Sequence, residues 1–216
     1  MPSQTKENYL KALFNLMNEK GEISLTELSD SLEVSKPTAN NMIKKMEELG
    51  WLHYEKYKPL KLTKEGKTKA ALIIRKHRIT EMYLVEKLGI GWEKVHAIAE
   101  QMEHIDSPLL FERMDEVLGF PDFDPHGSPI PDKNGVIKKV AYQLLSELKI
   151  GDAGIIIGIE NSSEEFLKFL NQKKIKLGDR VEVVEKIDFD ESVLVKMGKI
   201  EMQFSKKVSD SLRLKK

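Results

Sequence analysis

Two histidines and two glutamates recur in "HAIAEQMEHIDSP", residues 96–108, at spacings of three and four in a chain without cysteine. On a helix turning about 100° per residue, His96, Glu100, Glu103 and His104 fall within one arc of roughly 100°. Val95, Ile98, Ala99, Met102 and Ile105 take the remainder, so a helix over 92–105 reads as two-faced. On the preceding helical segment His77 and Glu81 stand four apart, one further turn. Imidazole nitrogens and carboxylate oxygens are the donors with which a divalent cation replaces water, at about 2.0–2.3 Å. Two readings stand at this level: the solvated face of an ordinary helix, and a metal centre with donors on two neighbouring helices. His126 lies in a Pro/Gly-rich stretch and is assigned no ligand role.

Other chemistry is narrowed by composition. Without cysteine there is neither a disulfide framework nor a thiolate ligand. The 35 basic and 35 acidic residues of the 216-residue chain cancel, but they are unevenly spread. Residues 1–80 carry a net charge of +5, residues 81–126 a net of −8 and the remainder +3. A basic front and an acidic middle suit an anion-binding part joined to a cation-binding part. The opening "MPSQTKENYL" has no apolar signal segment and no window reads as a membrane span, so the chain is expected to be cytoplasmic, with no membrane partner.

The elements that would position these groups follow from periodicity. A helix over about 4–19 is apolar at Tyr9, Leu10, Leu13, Phe14, Leu16 and Met17. Ser24 and Glu27 form a capping-box pair opening a short second helix. Ser35 caps a third, with Pro37 tolerated in its first turn and Ala39, Met42, Ile43, Met46 and Leu49 as its inner stripe. "WLHYEKYKPLKLT" alternates, breaks at Lys58-Pro59 and alternates again, a small hairpin. A long helix follows over about 64–88, then the helix at 92–105, then one opening at "DSP" and running through Leu118. "GFPDFDPHGSPIPDKNG", residues 119–135, reads as a connection. Beyond it "AGIIIGIE", "DRVEVVEKI" and "SVLVKMGKIEMQF" read as strands of a small barrel, with one short helix near "SEEFLKFLNQ". The fold class is α+β.

Two short helices joined by a tight turn and followed by a hairpin form the winged helix-turn-helix pattern, whose second helix can enter a major groove of double-stranded DNA. The candidate DNA-binding residues are Ser35, Lys36, Pro37, Thr38, Asn40, Asn41, Lys44 and Lys45. Lys58, with His53, Lys56 and Tyr57, belongs to the wing. Amides at Asn40 and Asn41 suit pairing with adenine, and the lysines suit phosphates. A protein-binding winged helix uses the same scaffold.

The order winged helix, "RKHRITE", "VHAIAEQMEH", "DPHGSPIP" and β module resembles the three-domain members of the DtxR/MntR family of metal-dependent repressors over nearly the whole chain. That resemblance implies a winged-helix DNA-binding domain at 1–63, an all-α dimerisation and metal-binding domain at 64–120, a linker at 121–140 and an SH3-like, FeoA-like barrel at 141–216. It implies a homodimer on a palindromic operator and two metal sites per subunit. His77, Glu81 and His96 resemble one site, completed from the β module by Glu165 or Glu164. Glu100, Glu103 and His104 resemble the other, completed by Asn8 of the first helix. Glu at position 100, where iron-sensing relatives have Cys, favours Mn2+ over Fe2+ as cofactor. Asn8 departs from the Asp or Met of the family, and Lys11 stands where manganese sensors have Glu, so their closely paired two-metal arrangement is not expected. The rival readings are a winged-helix regulator of an organic ligand or protein partner, and a zinc hydrolase. The hydrolase is disfavoured because "EQMEH" lacks the first histidine of the inverted zinc-peptidase pattern.

Overall fold

The computed structural model describes residues 4–56 and 58–216, without the Glu19 side chain; Tyr57, placed by the sequence in the wing, lies outside them. The described residues group into two compact units. The first comprises residues up to Thr80, then Ala99–Val117 and Ile130–Lys138. The second comprises Glu81–Ile98, Leu118–Pro129 and Lys139–Lys216.

In the first unit α1 (Gln4–Lys20) inserts Tyr9, Leu10 and Leu13 into a core shared with α2 (Leu25–Ser31) and α3 (Lys36–Glu48). The expected capping box is formed: Glu27 N donates to Ser24 Oγ at 3.2 Å, and Ser24 N to Glu27 Oε2 at 2.9 Å. These bonds, with Lys20 alongside, lower the Glu27 carboxyl to a pKa of about 2. Ser35 caps α3, which buries Ala39, Ile43 and Met46 and leaves its opposite side polar. The wing is a pair of two-residue strands, β1 (Leu52–His53) and β2 (Lys61–Leu62), and Ile23 joins it by a bridge to Leu60. That third edge, between helices α1 and α2, had no pattern long enough to announce it.

α4 (Lys64–Glu86) follows the wing and passes close beneath it. A Cβ on Gly66 would lie 1.9 Å from the Trp51 carbonyl oxygen, so only glycine allows this approach. α5 is shorter than the sequence suggests: it runs Val95–Met102, not 92–105. Residues 92–94 form a turn, with Lys94 N donating to Gly91 O at 2.9 Å. Glu103 N still donates to Ala99 O at 2.9 Å, after which Ile105 N closes on Met102 O at 3.0 Å and tightens the end. Nor is the helix cleanly two-faced. Glu103 continues the four-residue steps of Val95 and Ala99 and is buried with them, while Ile105 is exposed. α6 (Pro108–Val117) buries Phe111, Met114 and Asp115. Arg75 of α4 pairs with Asp115 and donates to Pro131 O at 2.6 Å, fixing the end of the Pro/Gly-rich segment.

The second unit holds an antiparallel six-stranded sheet in the order β3-β8-β4-β5-β6-β7. Its strands are β3 (Gln143–Leu144), β4 (Ala153–Ile159), β5 (Arg180–Ile187), β6 (Ser192–Met197), β7 (Ile200–Phe204) and β8 (Leu212–Lys215). Irregularities at Ile156/Gly158 and Val183/Glu185 shift the register, as strongly curved small sheets require. α7 (Glu164–Lys173), capped by Ser163, covers the core with Phe166, Leu167 and Leu170; a last short helix is α8 (Lys206–Ser209). β3 and β8 are the strands the sequence left unread, each too short to show alternation. No described helix is long and apolar enough to cross a membrane.

Because a methyl group at position 66 meets backbone rather than a movable side chain, Gly66→Ala should destabilise the chain by on the order of 1–3 kcal/mol. Urea unfolding followed by far-UV circular dichroism would measure it; an unchanged midpoint would mean that α4 and the wing are less closely apposed than described.

Candidate metal centre

One donor cluster lies within the first unit. α1 supplies Glu7, Asn8 and Lys11; the steps of four and three residues from the first two to Lys11 bring them to one side. α4 supplies His77, and α5 with its closing turn supplies Glu100, Glu103 and His104. Ligand atoms of His77, Glu100 and Glu103 lie within 4.8 Å of one another. His77 Nδ1 lies 2.6 Å from Glu103 Oε2, and as the N–H partner it donates. His104 Nδ1 lies 2.6 Å from Glu7 Oε2 in the same relation. Lys11 Nζ donates to Glu100 Oε1 at 2.5 Å and to the two oxygens of Glu103 at 2.9 and 2.8 Å.

The electrostatics are dominated by Glu103, which has no exposed surface. Burial by itself raises its pKa, but the His77 hydrogen bond and the charge of Lys11 outweigh that and hold the carboxyl below its ordinary range. The group is therefore an anion inside the protein. Three buried polar atoms of the described residues lack a hydrogen-bond partner: Asn8 Oδ1, Tyr9 Oη and His104 Nε2. With Nδ1 donating to Glu7, neutral His104 presents a lone pair at Nε2, 3.6 Å from Glu103 Oε1. Two electron-rich atoms thus face one another across a gap that suits a cation. The carboxylate–histidine pairing of Glu7 with His104 is also what orients a metal-binding imidazole. A divalent ion suits the gap between His104 Nε2 and Glu103, with Glu100 and Asn8, which line one pocket, as further candidate donors. An open pocket of about 470 Å³, lined in part by Asn8, Lys11, Asn15 and Glu100, leads to it.

A second cluster lies within the other unit, where Glu81, Asp124 and His126 place ligand atoms within 4.8 Å of one another. It is built by a tight turn in the sequence "FDPHGSP". Asp124 Oδ1 accepts from His126 N at 2.8 Å and Ser128 N at 2.9 Å, and Phe123 bridges to Pro129. Gly127 has φ +81° and comes so near β4 that a Cβ would lie 2.1 Å from Ile157 O. His126 is thereby held against Trp92: their rings stack at 5.9 Å, and His126 Nε2 donates to Trp92 O at 3.0 Å. Its Nδ1 faces Glu81 Oε2 at 3.5 Å, while His96 Nδ1 meets Glu81 Oε1 at 3.1 Å. Burial lowers the His126 pKa, but Glu81, the charge of Asp124 and the Trp92 carbonyl together reverse this and raise it.

His77 contacts Glu103 directly, and it also keeps the grouping its spacing gives, its ligand atom lying within 4.8 Å of those of Glu81 and His96. Glu81 and His96 meet as expected, but Glu165 is exposed in the first turn of α7 and belongs to neither cluster. Asn8 is at the first cluster, with Glu7 and Lys11 as further members. Glu7, Asp124 and His126 were missed. The signal for Glu7 is its four-residue step to Lys11, and for the others an Asp-x-His-Gly sequence that combines a turn-forming carboxylate with a ligand. On α3 the residues Ser35, Lys36, Pro37, Thr38, Asn41, Lys44 and Lys45 are all exposed. Asn40 is half-buried and its Oδ1 accepts from Tyr54 OH at 2.9 Å, tying α3 to the wing. Lys58 is exposed and pairs with Glu55 at 2.7 Å.

If Glu7 orients His104, Glu7→Ala should weaken divalent-metal affinity by roughly 10–100-fold while leaving the fold intact. Competition against a fluorescent chelator, with circular dichroism as a control, reads this. Equal Mn2+ affinity in both proteins would remove Glu7 from the centre.

The comparisons with known proteins converge. Residues 1–60 match the iron dependent repressor N-terminal DNA binding domain, residues 63–132 the metal binding and dimerisation domain of the same repressors, and residues 143–216 the FeoA domain. The chain is 36% identical over 127 residues to the iron-dependent repressor IdeR of Mycobacterium leprae, covering 59% of this chain and 55% of that protein. It thus spans about half the length of that curated relative. It is 28% identical over 195 residues to the diphtheria toxin repressor of Corynebacterium diphtheriae, covering 84% and 85% of the two chains. Among solved structures, a manganese-dependent transcriptional repressor in complex with manganese superposes with a TM-score of 0.87 at 28% identity, covering 97% of this chain and 98% of that one. The IdeR of T. acidophilum superposes with a TM-score of 0.75 at 27% identity, covering 99% of both. With a winged helix, a helical segment and a FeoA-type β module matched in that order, the chain belongs to the iron-dependent repressor family, the DtxR/MntR family.

Proposed function

We propose that this protein is a metal-dependent, DNA-binding transcriptional repressor of metal-ion homeostasis, a cytoplasmic homodimer activated by Mn2+ or Fe2+, with no catalytic role. The observation that carries the reading is the pair of buried, unpartnered atoms, Asn8 Oδ1 and His104 Nε2, beside the ionised Glu103. Asn8 belongs to α1, which packs within the winged-helix core, and His104 follows α5. The ligand set therefore joins the DNA-reading lobe to the helical segment through residues of both.

Glu100, Glu103, His104 and the α1 residue Asn8 would hold a divalent cation, which would supply positive charge between the two carboxylates. Glu7 holds His104 in the tautomer with Nε2 as acceptor, so its ring is oriented before any ligand arrives. Ordering α1 beforehand lowers the cost of docking α3 into DNA, which is a population shift rather than a new contact. The oxygen-rich, thiolate-free donor set favours a hard ion, hence Mn2+ over Fe2+. The relatives named as iron-dependent and the neighbours named as manganese-dependent support the same pair of ions.

We assign Glu81, His96, Asp124 and His126 to the second centre, with His77 one helical turn before Glu81. Glu165 is left in reserve as a ligand that α7 would have to bring nearer. The domain division 1–63, 64–120 and 141–216 is kept. The 121–140 segment is read as a packed connection that carries ligands. The two-fold interface falls on the helical segment, where Ile105, Leu109 and Val117 expose apolar side chains of α6 and its entry. Two α3 helices related by that axis would read a palindromic operator.

The test is fluorescence anisotropy on a labelled duplex enriched from a random pool by the Mn2+-loaded protein. Wild type should bind at least tenfold more tightly in saturating Mn2+ or Fe2+ than in EDTA, and Glu103→Ala should lose the difference. Equal affinity in EDTA and metal would refute metal control. On the same duplex Asn41→Ala should relax sequence preference, whereas Lys44→Ala should weaken all sequences alike and reduce the salt slope by about one unit. Identical behaviour of the two variants would end this division of labour along α3.

A further inference from the structure

Lys11 reaches from α1 into the first donor cluster and ends among the ligands rather than in solvent. Its side chain is 14% exposed. Besides its three contacts with Glu100 and Glu103, its Nζ lies 3.4 Å from His77 Nδ1, a near approach and not a hydrogen bond, since that nitrogen donates to Glu103. An ammonium surrounded in this way has exchanged its water for protein donors, as a bound metal ion does. Charge supports the same view. The cluster brings together three carboxylates, Glu7, Glu100 and Glu103; Lys11 offsets one, leaving the charge that a single divalent ion neutralises. The contacts are also distributed to that end. Lys11 spans both oxygens of Glu103 and nears His77, while Asn8 Oδ1 and His104 Nε2 remain without partners.

We propose that Lys11 is a tethered, resident cation of this centre: its ammonium takes the place among His77, Glu100 and Glu103 that a second divalent ion would fill, so the centre holds one divalent ion beside one built-in monovalent charge. This rests on the reading of the cluster as a metal centre. It adds that His77 and its surroundings form a latent second metal position, closed by a side chain of the same protein.

The experiment counts Mn2+ per chain after equilibrium dialysis and records the electron paramagnetic resonance of the bound ions in full-length wild type, Lys11→Glu and Lys11→Met. Lys11→Glu should bind one Mn2+ per chain more than wild type and show the broadened signal of a closely spaced, spin-coupled pair. Lys11→Met removes the charge and adds only a soft thioether, a poor donor for Mn2+; it should also gain an ion, bound more weakly than in Lys11→Glu. Circular dichroism checks that each variant is folded. An unchanged count in whichever variants fold would overturn the proposal, as would a spin-coupled Mn2+ pair at this cluster in wild type. A wild type that holds no Mn2+ here would overturn the metal-sensor reading instead. In that event a gain on replacing Lys11 would still support its role as the occupying cation.

Discussion

A carboxylate with no exposed surface dominates the first unit. Transferring an ionised group out of water costs several kcal/mol even after relaxation, so Glu103 is tolerated only where positive charge and N–H donors meet it. His77 of α4 and Lys11 of α1 supply them, which fixes two helices against the end of a third. The capped helices and the apolar core of the winged helix bring α1 to this place. Glu103 sets its register, because a slide of one helical turn would leave the anion without partners.

The histidines show how such a site is made ready. His104 gives its Nδ1 proton to Glu7, so in the neutral ring Nε2 carries a lone pair toward Glu103, and His126 gives its Nε2 proton to the Trp92 carbonyl, which turns Nδ1 toward Glu81. Neither orientation comes from the ligand residues themselves. Glu7 depends on the length and phase of α1. The Trp92 carbonyl depends on the turn before α5, whose indole is anchored on the β module by Asn171. Ring orientation is thus settled by parts of the chain remote in sequence from the ligands they serve.

The uneven charge along the chain acquires a physical sense in this arrangement. The acidic middle includes the donor carboxylates Glu81, Glu100, Glu103 and Asp124, of which all but Glu100 are buried. Among the cations of the basic front, Lys36, Lys44 and Lys45 lie on the exposed side of α3, and Lys11 is turned inward. α3 itself achieves a clean separation, with Ala39, Ile43 and Met46 inside and small polar or cationic groups outside. Asn40 is the exception, since its carbonyl steadies the wing through Tyr54.

Local sequence was enough for elements whose signals are short-ranged: the Ser24–Glu27 capping box, the Ser35 cap, the hairpin break at Pro59 and the alternating strands β4 to β7. It also named most of the donors, because imidazoles and carboxylates at helical spacing can be counted. It misjudged the end of α5, where the buried Glu103 looked like part of a wet face. Periodicity records which residues share a side of a helix but not which side is turned inward. Partnership was likewise beyond it. The contact of His77 with Glu103, the approach of Asp124 and His126 to Glu81, the support of His104 by Glu7 and the turning of Lys11 into the cluster each join residues from separate elements. The types of donor were determined by the sequence, since ligand chemistry is a property of single side chains. Their grouping was decided by the tertiary structure, because buried charges must be matched in space and only packing decides which charges become neighbours.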